Sequence, residues 1–505
     1  MTLKTLSLCL LFPAAMAVPL AAQEAAPPPS PQAMTREELV SRIEETFQDP
    51  RFAGALWGAR IESLENGELW YSLNADQLFI PASNQKIPTT AAALSLLGPD
   101  FRYETRLETL GTVTSDTLHG DLILWGHGDP TFYTRFFDEP REPLRALARQ
   151  LKDAGIARIA GDVVGDDDAW DDQHMGGGMT FGGSTAWYGA PFGPLQINEG
   201  YVDFKVLPPD SVDGEVRIEP NLPSAFFTLD TSGVEVVADG RSRVRIERGL
   251  LDNAFVATGQ VEAGAKPFEQ SPSIHNPTLF ITTVMAEVLK AEGIEVAGQP
   301  IDIDDAPAKW AYEGERKVLA THQSPPLSEI ASMLMKRSQN NYAETMVHTI
   351  GWAETGRGTF SAGREAMREW LESEAGIDPE TLQISDGSGL SRYNLVSPNQ
   401  LVKILRAMWR SDLKDVWVET MPVAGVDGTL RNRMKDTPAE GNARAKTGTV
   451  SNVRGLSGYV WTSDGEPVVF SFLVNSHLTT SKATEEVTDG VLALIAGYSD
   501  EMESK

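Results

Sequence analysis

Cysteine is almost absent from this 505-residue chain, and the single one, Cys9, falls within the first 22 residues. The rest of the chain can hold no disulfide, no thiolate metal site and no cysteine nucleophile. Basic charge is scarce as well: 43 Lys and Arg face 71 Asp and Glu, a formal net charge of −28. An acidic chain of this kind argues against nucleic acid as a partner and is not drawn to an anionic membrane. The histidines form no H-E-x-x-H pair, so a metallopeptidase has no support. No self-similarity of repeat length occurs, which argues against a solenoid. Beyond the first residues there is no apolar run long enough to span a bilayer.

What is present begins with "MTLKTLSLCLLFPAAMAVPLAAQ", which has an early Lys4, an apolar stretch broken by Pro13 and Pro19, and small residues at Ala15-Met16-Ala17 and Leu20-Ala21-Ala22. This pattern predicts a cleaved export signal over residues 1–22, leaving no stable membrane anchor and placing the mature protein in the periplasm. A Pro/Ala-rich linker follows over 23–34, and folding is expected to begin near Thr35.

Leu39, Ile43 and Phe47 recur at helical spacing, and "GALWGARIESLENGELWYSLN" reads as a hairpin closed at Asn66-Gly67. The run after Pro81 predicts a helix that buries Ala91, Ala92, Leu94, Leu96 and Leu97. At the far end, strands flank the Ser463-Asp464-Gly465 turn and "TEEVTDGVLALIAGY" closes as a helix. One antiparallel sheet built from both chain ends and covered by helices accommodates these elements, an α+β arrangement. Roughly residues 105 to 315 differ in texture, with short alternating runs and frequent Gly and Pro, and predict a β-rich insertion interrupted by the helix "PTLFITTVMAEVLKAEG".

Ser83 and Lys86 stand three residues apart at a helix start, so the amine can reach the hydroxyl and, if neutral, take its proton. A solvated helix start would show the same two residues. Ser338-Gln339-Asn340 lies between two helical runs, where a hydroxyl and a carboxamide can relay a proton and hold an amide, although either residue could instead cap the second helix. Lys446-Thr447-Gly448-Thr449 opens a strand that can receive an extended peptide edge-on, with the lysine and the two hydroxyls meeting a carboxylate; a lysine-guarded edge strand would read the same way. Together and in this order, the three motifs are those of active-site serine penicillin-binding proteins and β-lactamases.

The 252 positions between Lys86 and Ser338 exceed what small β-lactamases place there and match the inserted middle. The chain resembles the D-alanyl-D-alanine carboxypeptidase/endopeptidase family, the class C low-molecular-mass penicillin-binding proteins (peptidase family S13). "PASNQK", "GDLILWGHGDPT", "AEGIEVAGQ", "HQSPPLSEI", "ISDGSGLSRYNLVSP" and "MPVAGVDGTLRNRM" carry the resemblance across nearly the whole mature chain. It implies a transpeptidase-like catalytic domain from residues 35–104 and 316–505, a nested domain from 105–133 and 212–315, and a third from 134–211.

The resemblance also implies roles. Ser83 attacks the carbonyl of the penultimate D-alanine and Lys86 is its base. Ser338 passes the proton to the leaving amine, while Asn340 holds the peptide amide. Lys446 adds positive charge, Thr447 and Thr449 take the terminal carboxylate, and Gly448 allows close approach. The backbone N–H groups of Ser83 and Thr449 hold the oxyanion. Peptidoglycan stem peptides and cross-links are then the substrates, β-lactams the acylating inhibitors, and no cofactor or metal takes part. A non-catalytic penicillin-binding module and a β-lactamase are the alternatives; the E-x-x-L-N segment of class A β-lactamases is missing. Two departures stand out: Pro88 follows the first motif closely, and Gly183 falls where relatives often carry an aspartate before a segment like Tyr188-Gly189-Ala190-Pro191.

Two weaker signals remain. "GDDDAWDDQH" lacks the alternating acids and glycine of a calcium loop and reads as a solvated acidic loop. Asp386-Gly387-Ser388-Gly389 fits an active-site rim and an ordinary turn equally.

Overall fold

A computed structural model describes residues 34–179 and 181–499. The expected export signal and all but the last residue of the linker lie outside the described residues.

The two chain ends build one five-stranded sheet in the order Arg444–Val450, Val453–Trp461, Pro467–Asn475, Leu56–Ser63, Leu69–Leu73, each neighbour antiparallel. The N-terminal hairpin therefore docks on the last C-terminal strand, with Leu56 opposite Asn475 and Ser63 opposite Val468. Gly67 and Gly465 take left-handed φ of 78° and 94° in the two hairpin turns, a conformation glycine reaches without a Cβ clash.

Side chains alternate between two cores. Val468, Phe470, Phe472 and Val474 join Leu39, Ile43, Phe47, Val491 and Leu492 from the helices Arg36–Phe47 and Ser481–Ala496. Val469 and Leu473 point the other way, to Leu94, Leu334, Tyr342 and Leu401 from the helices Lys86–Leu97, Leu327–Arg337, Asn340–Thr355 and Pro398–Arg410. A strand covered on both faces reads as a continuous apolar run, as "PVVFSFLV" does. In the helix Lys86–Leu97, residues 86 to 94 are buried, whereas Leu96 is exposed, contrary to its expected place in the core. The last turn emerges to solvent before Gly98 ends the helix.

The insertion leaves through Glu104–Thr109 and returns through Lys317–Gln323, two strands paired antiparallel. They belong to a five-stranded mixed sheet completed by Leu122–Gly126, Val163–Asp166 and Pro300–Asp302. The helices Glu142–Asp153 and Pro277–Ala291 share one core with it, through Leu107, Leu124, Leu147, Phe280 and Ala320. A more distal part, from Phe204 to Gln270, carries two three-stranded sheets.

The strand pairing runs across the domain limits that the resemblance implies. Residues 142–166 belong with the strand Leu122–Gly126, because that strand runs parallel to Val163–Asp166 and a parallel pair needs a crossover, supplied here by the helix Glu142–Asp153. The inserted sheet also continues past residue 316 to Gln323. The helix itself escaped the β-rich reading, although Leu144, Leu147 and Leu151 recur at helical spacing and are fully buried.

Candidate active site

Ser83 sits in a 3-10 turn, Ala82–Gln85, that runs directly into the helix Lys86–Leu97. Ala82, just before it, holds a left-handed φ of 48°, a strained conformation for a residue with a Cβ. Pro88 is the third residue of the helix, within the first turn, where backbone N–H groups have no intrahelical acceptor, so it is tolerated without a kink. Gly389 and Gly448 press on this turn: a Cβ on Gly389 would lie 1.8 Å from the Ala82 carbonyl oxygen, and one on Gly448 would lie 2.6 Å from that of Pro81. Both positions need glycine for that approach.

Lys86 is completely buried. Its Nζ lies 3.1 Å from Ser83 Oγ, 2.7 Å from Asn340 Oδ1 and 2.6 Å from the Ser388 carbonyl oxygen. Burial pulls its pKa down to about 7, against the opposing pull of Asp386 and Glu344. Lys446 is equally buried, donating to Ser338 Oγ at 2.8 Å and to the Thr447 carbonyl at 2.8 Å. Burial first, and the charge of Lys86 second, hold it well below the ordinary lysine range.

Ser338 ends the helix Leu327–Arg337 in a left-handed conformation, φ 62°, and Asn340 opens the next helix. The capping explanation for this motif fails: Gln339 holds the N-cap position and makes no side-chain cap bond. The Ser338 hydroxyl faces Lys446, and Asn340 spans from Lys86 to the Tyr188 carbonyl, to which its Nδ2 donates at 2.7 Å.

The strand Arg444–Val450 lies at the edge of its sheet. Its first part is covered by residues 422–424, through Ala445 N–H to Pro422 O and Ala424 N–H to Ala443 O. Thr447, Thr449 and Val450 line the open part, together with Ser83, Ser338 and Asn340, in a cavity of about 570 Å³. Thr447 Oγ1 also donates to Thr429 Oγ1 at 2.9 Å. The charged residues on the lining are Arg337 and Arg392; no carboxylate and no histidine is among the described residues there. Gly183 is on the wall beside Met179, Trp187 and Tyr188, so that position presents no acid to the cleft.

Sequence reasoning left Asp386-Gly387-Ser388-Gly389 between an active-site rim and an ordinary turn, and missed Glu344, which holds it from below. Asp386-Gly387-Ser388-Gly389 lies beneath Lys86, with the Ser388 carbonyl as one of its acceptors. Glu344 Oε1 and Oε2 accept from Ser388 N–H at 2.9 Å and Gly387 N–H at 3.0 Å, and Asp386 Oδ1 accepts from Gly389 N–H at 2.7 Å. Burial raises both acids, Glu344 to about 7. A signal was available: Glu344 stands four residues after Asn340 and shares its helix face.

The acidic loop is only partly solvated, which corrects its reading. Asp166 and Asp167 are buried, the first paired with Arg316 and the second accepting from Thr278 Oγ1 at 2.6 Å. Asp167, Asp168 and Asp304 approach within 4.8 Å of one another, away from the cleft. Lys309 pairs with Asp168 at 2.7 Å and also with Asp304, supplying positive charge there.

A serine hydroxyl met by a buried, proton-poor lysine at the open edge of a sheet is the apparatus of an acyl-serine enzyme. The chain belongs to the D-Ala-D-Ala carboxypeptidase 3 (S13) family, which matches residues 39–496. It is a serine-type D-alanyl-D-alanine carboxypeptidase by class. It is 32% identical over 473 residues to a D-alanyl-D-alanine carboxypeptidase of Actinomadura sp. (strain R39), covering 91% of this chain and 85% of that one. The crystal structure of penicillin binding protein 4 (dacB) from Haemophilus influenzae is similar with a TM-score of 0.75 and 27% identity, over 90% of this chain and 97% of that one. A second structure of that protein, complexed with a β-lactam, is similar with a TM-score of 0.70 and 26% identity, covering 89% and 97% of the two chains.

Proposed function

We propose that Ser83 is the nucleophile and Lys86 its base in cleavage of D-alanyl-D-alanine ends of peptidoglycan stem peptides, and of cross-links between them. The observation that carries this reading is the set of three partners around Lys86 Nζ. Two of them, the Asn340 amide oxygen and the Ser388 carbonyl, can only accept. A neutral amine has two N–H donors for those two, and its lone pair is left for the Ser83 O–H.

Ser83 gives its proton to Lys86 and Oγ bonds the carbonyl carbon. The C–N bond to the terminal D-alanine then breaks, and the leaving nitrogen takes a proton through Ser338. Water hydrolyses the ester and releases the trimmed peptide; when the bond cut is a cross-link, the same steps give endopeptidase activity. The substrate lies along the open edge of Arg444–Val450, with its amide at Asn340 and its carboxylate at Thr447 and Thr449. That carboxylate raises the proton affinity of Lys446 and favours its charged form beside Ser338. The N–H groups of Ser83 and Thr449 serve the oxyanion. A β-lactam enters as a mimic of the same end. The two hydroxyl–lysine pairs, Ser83 with Lys86 and Ser338 with Lys446, support catalysis over a module that only binds.

Export to the periplasm fits the same reading. Among the described residues no helix is long and apolar enough to cross a membrane. N-terminal sequencing of the secreted protein tests cleavage near residue 22.

The decisive experiment incubates the mature protein and its Ser83→Ala variant with a fluorescent penicillin and follows intact mass, then assays muropeptide products. One adduct on the unsubstituted protein alone, with loss of one D-alanine from pentapeptide substrate, is expected. Equal labelling of Ser83→Ala would overturn the assignment.

A further inference from the structure

One carboxylate of the insertion reaches the catalytic junction. Glu199 is buried and carries a left-handed φ of 54°, flanked by Asn198 at 57° and Gly200 at 74°. Such a run is unfavourable for residues with a Cβ and persists only where the surroundings hold it. Its effect is to turn the Glu199 side chain toward the helix Asn340–Thr355.

There the carboxylate is saturated. Arg135 donates to both oxygens, at 2.7 Å from Nε and 3.2 Å from Nη2. Tyr201 OH donates at 2.6 Å and Tyr342 OH at 2.8 Å. The remaining donor is the Gln339 side-chain amide. Gln339 is the residue between Ser338 and Asn340, and this bond takes up the side chain at the N-cap of the helix.

An ion pair that served stability alone would be replaceable by apolar side chains, as buried pairs often are. This one is instead tied to the side chain of Gln339, the residue between the two polar groups of the cleft. Ser338 is itself in a left-handed conformation, so its hydroxyl direction depends on what fixes the next residue. The Tyr188 carbonyl on Asn340 and the Pro191 carbonyl on Asn341 Nδ2, at 2.7 and 3.3 Å, come from the same inserted segment.

We propose that Glu199, held by Arg135, is a positioning residue for catalysis: through Gln339 it sets the placement of Ser338 and Asn340, so that the inserted domain determines the rate of Ser83 acylation. The inference rests on the acyl-serine reading and adds to it a role for the insertion.

The test is a double-mutant cycle on the full mature chain with Glu199→Gln, Gln339→Met and both together. Fluorescent penicillin gives the limiting acylation rate and the concentration for half-maximal rate, and thermal melting is read alongside. Each single variant is expected to lose about 10-fold or more in limiting rate, because misplacement of about an ångström has that scale of effect. The half-saturating concentration should change little, and the double should lose no more than the worse single, the mark of residues acting as one unit. Gln339→Met leaves the Arg135–Glu199 pair intact, so it carries the test if Glu199→Gln does not fold. An unchanged rate in Gln339→Met, additive losses in the cycle, or losses that follow the melting temperature would each overturn the inference. No labelling of the unsubstituted protein would overturn the acyl-serine reading and this inference with it.

Discussion

Lys86 Nζ stands 2.6 Å from the Ser388 carbonyl oxygen, closer than the 3.1 Å that separates it from Ser83 Oγ. The lysine is thus anchored from below by a backbone group that can only accept, which in the neutral amine leaves the lone pair available to the Ser83 hydroxyl. On the proposed reading this relationship makes the S-x-x-K spacing a directed acid–base pair, and it sets the sign of the pH dependence.

Below about pH 7 Lys86 carries its proton and cannot take that of Ser83; above it the amine is free. The acylation rate at subsaturating penicillin should therefore rise with pH through about 7 and then level off. Lys86→Arg stays charged across this range and should lose roughly 10²- to 10⁴-fold in rate together with the inflection. Stopped-flow acylation between pH 5 and 9 measures both, and an unchanged inflection in Lys86→Arg would remove Lys86 as the base.

Glu344 and Asp386 oppose the depression of the Lys86 pKa. Removing one of these charges should favour the neutral amine further, so Glu344→Gln is expected to move the acid limb of the same profile to lower pH. The rate at the plateau should fall by about 10-fold, because the side-chain amide cannot accept from both Gly387 and Ser388 N–H and the Ser388 carbonyl shifts. A limb moved upward would contradict the electrostatic account.

Gly448→Ala tests the close approach of strand and nucleophile turn. The added Cβ would come within 2.6 Å of the Pro81 carbonyl oxygen and 2.7 Å of Asn84 Nδ2. The Ser83 turn must move away from the edge strand, and acylation should drop by about 10- to 100-fold with the fold retained. Circular dichroism and acylation kinetics on the same sample separate this from unfolding.

How much of this was legible in the sequence follows from the range of each interaction. The hairpins, the N- and C-terminal helices and the S-x-x-K pair rest on neighbours within a few residues, and their periodicity shows. Glu344, Asp386 and Ser388 acquire meaning only when Lys86, some 250 to 300 positions earlier, folds over them. Glu199 carries no motif of its own, and its place is set by Gln339 and Arg135, 140 and 64 positions away. The helix Glu142–Asp153 went unread inside the β-rich stretch because its charged face concealed its leucine stripe.

The cleft lining argues for a long-lived penicillin adduct. Hydrolysis of the acyl-serine ester needs a group that takes a proton from water, and fast β-lactam destruction needs it placed there. Among the described lining residues there is neither a carboxylate nor a histidine, and the charged side chains there are two guanidinium groups, which offer donors and no acceptor. Glu344 and Asp386 are below the floor, spent on backbone N–H groups. Lys86 and Lys446, each engaged with a serine hydroxyl, are thus the bases left for water, and the bound antibiotic, still filling the peptide edge, restricts the approach. After removal of excess penicillin, intact mass should show the adduct still predominant while free pentapeptide is turned over repeatedly by unlabelled enzyme. Rapid return to the unmodified mass would instead place a deacylating base in the cleft and favour a β-lactamase.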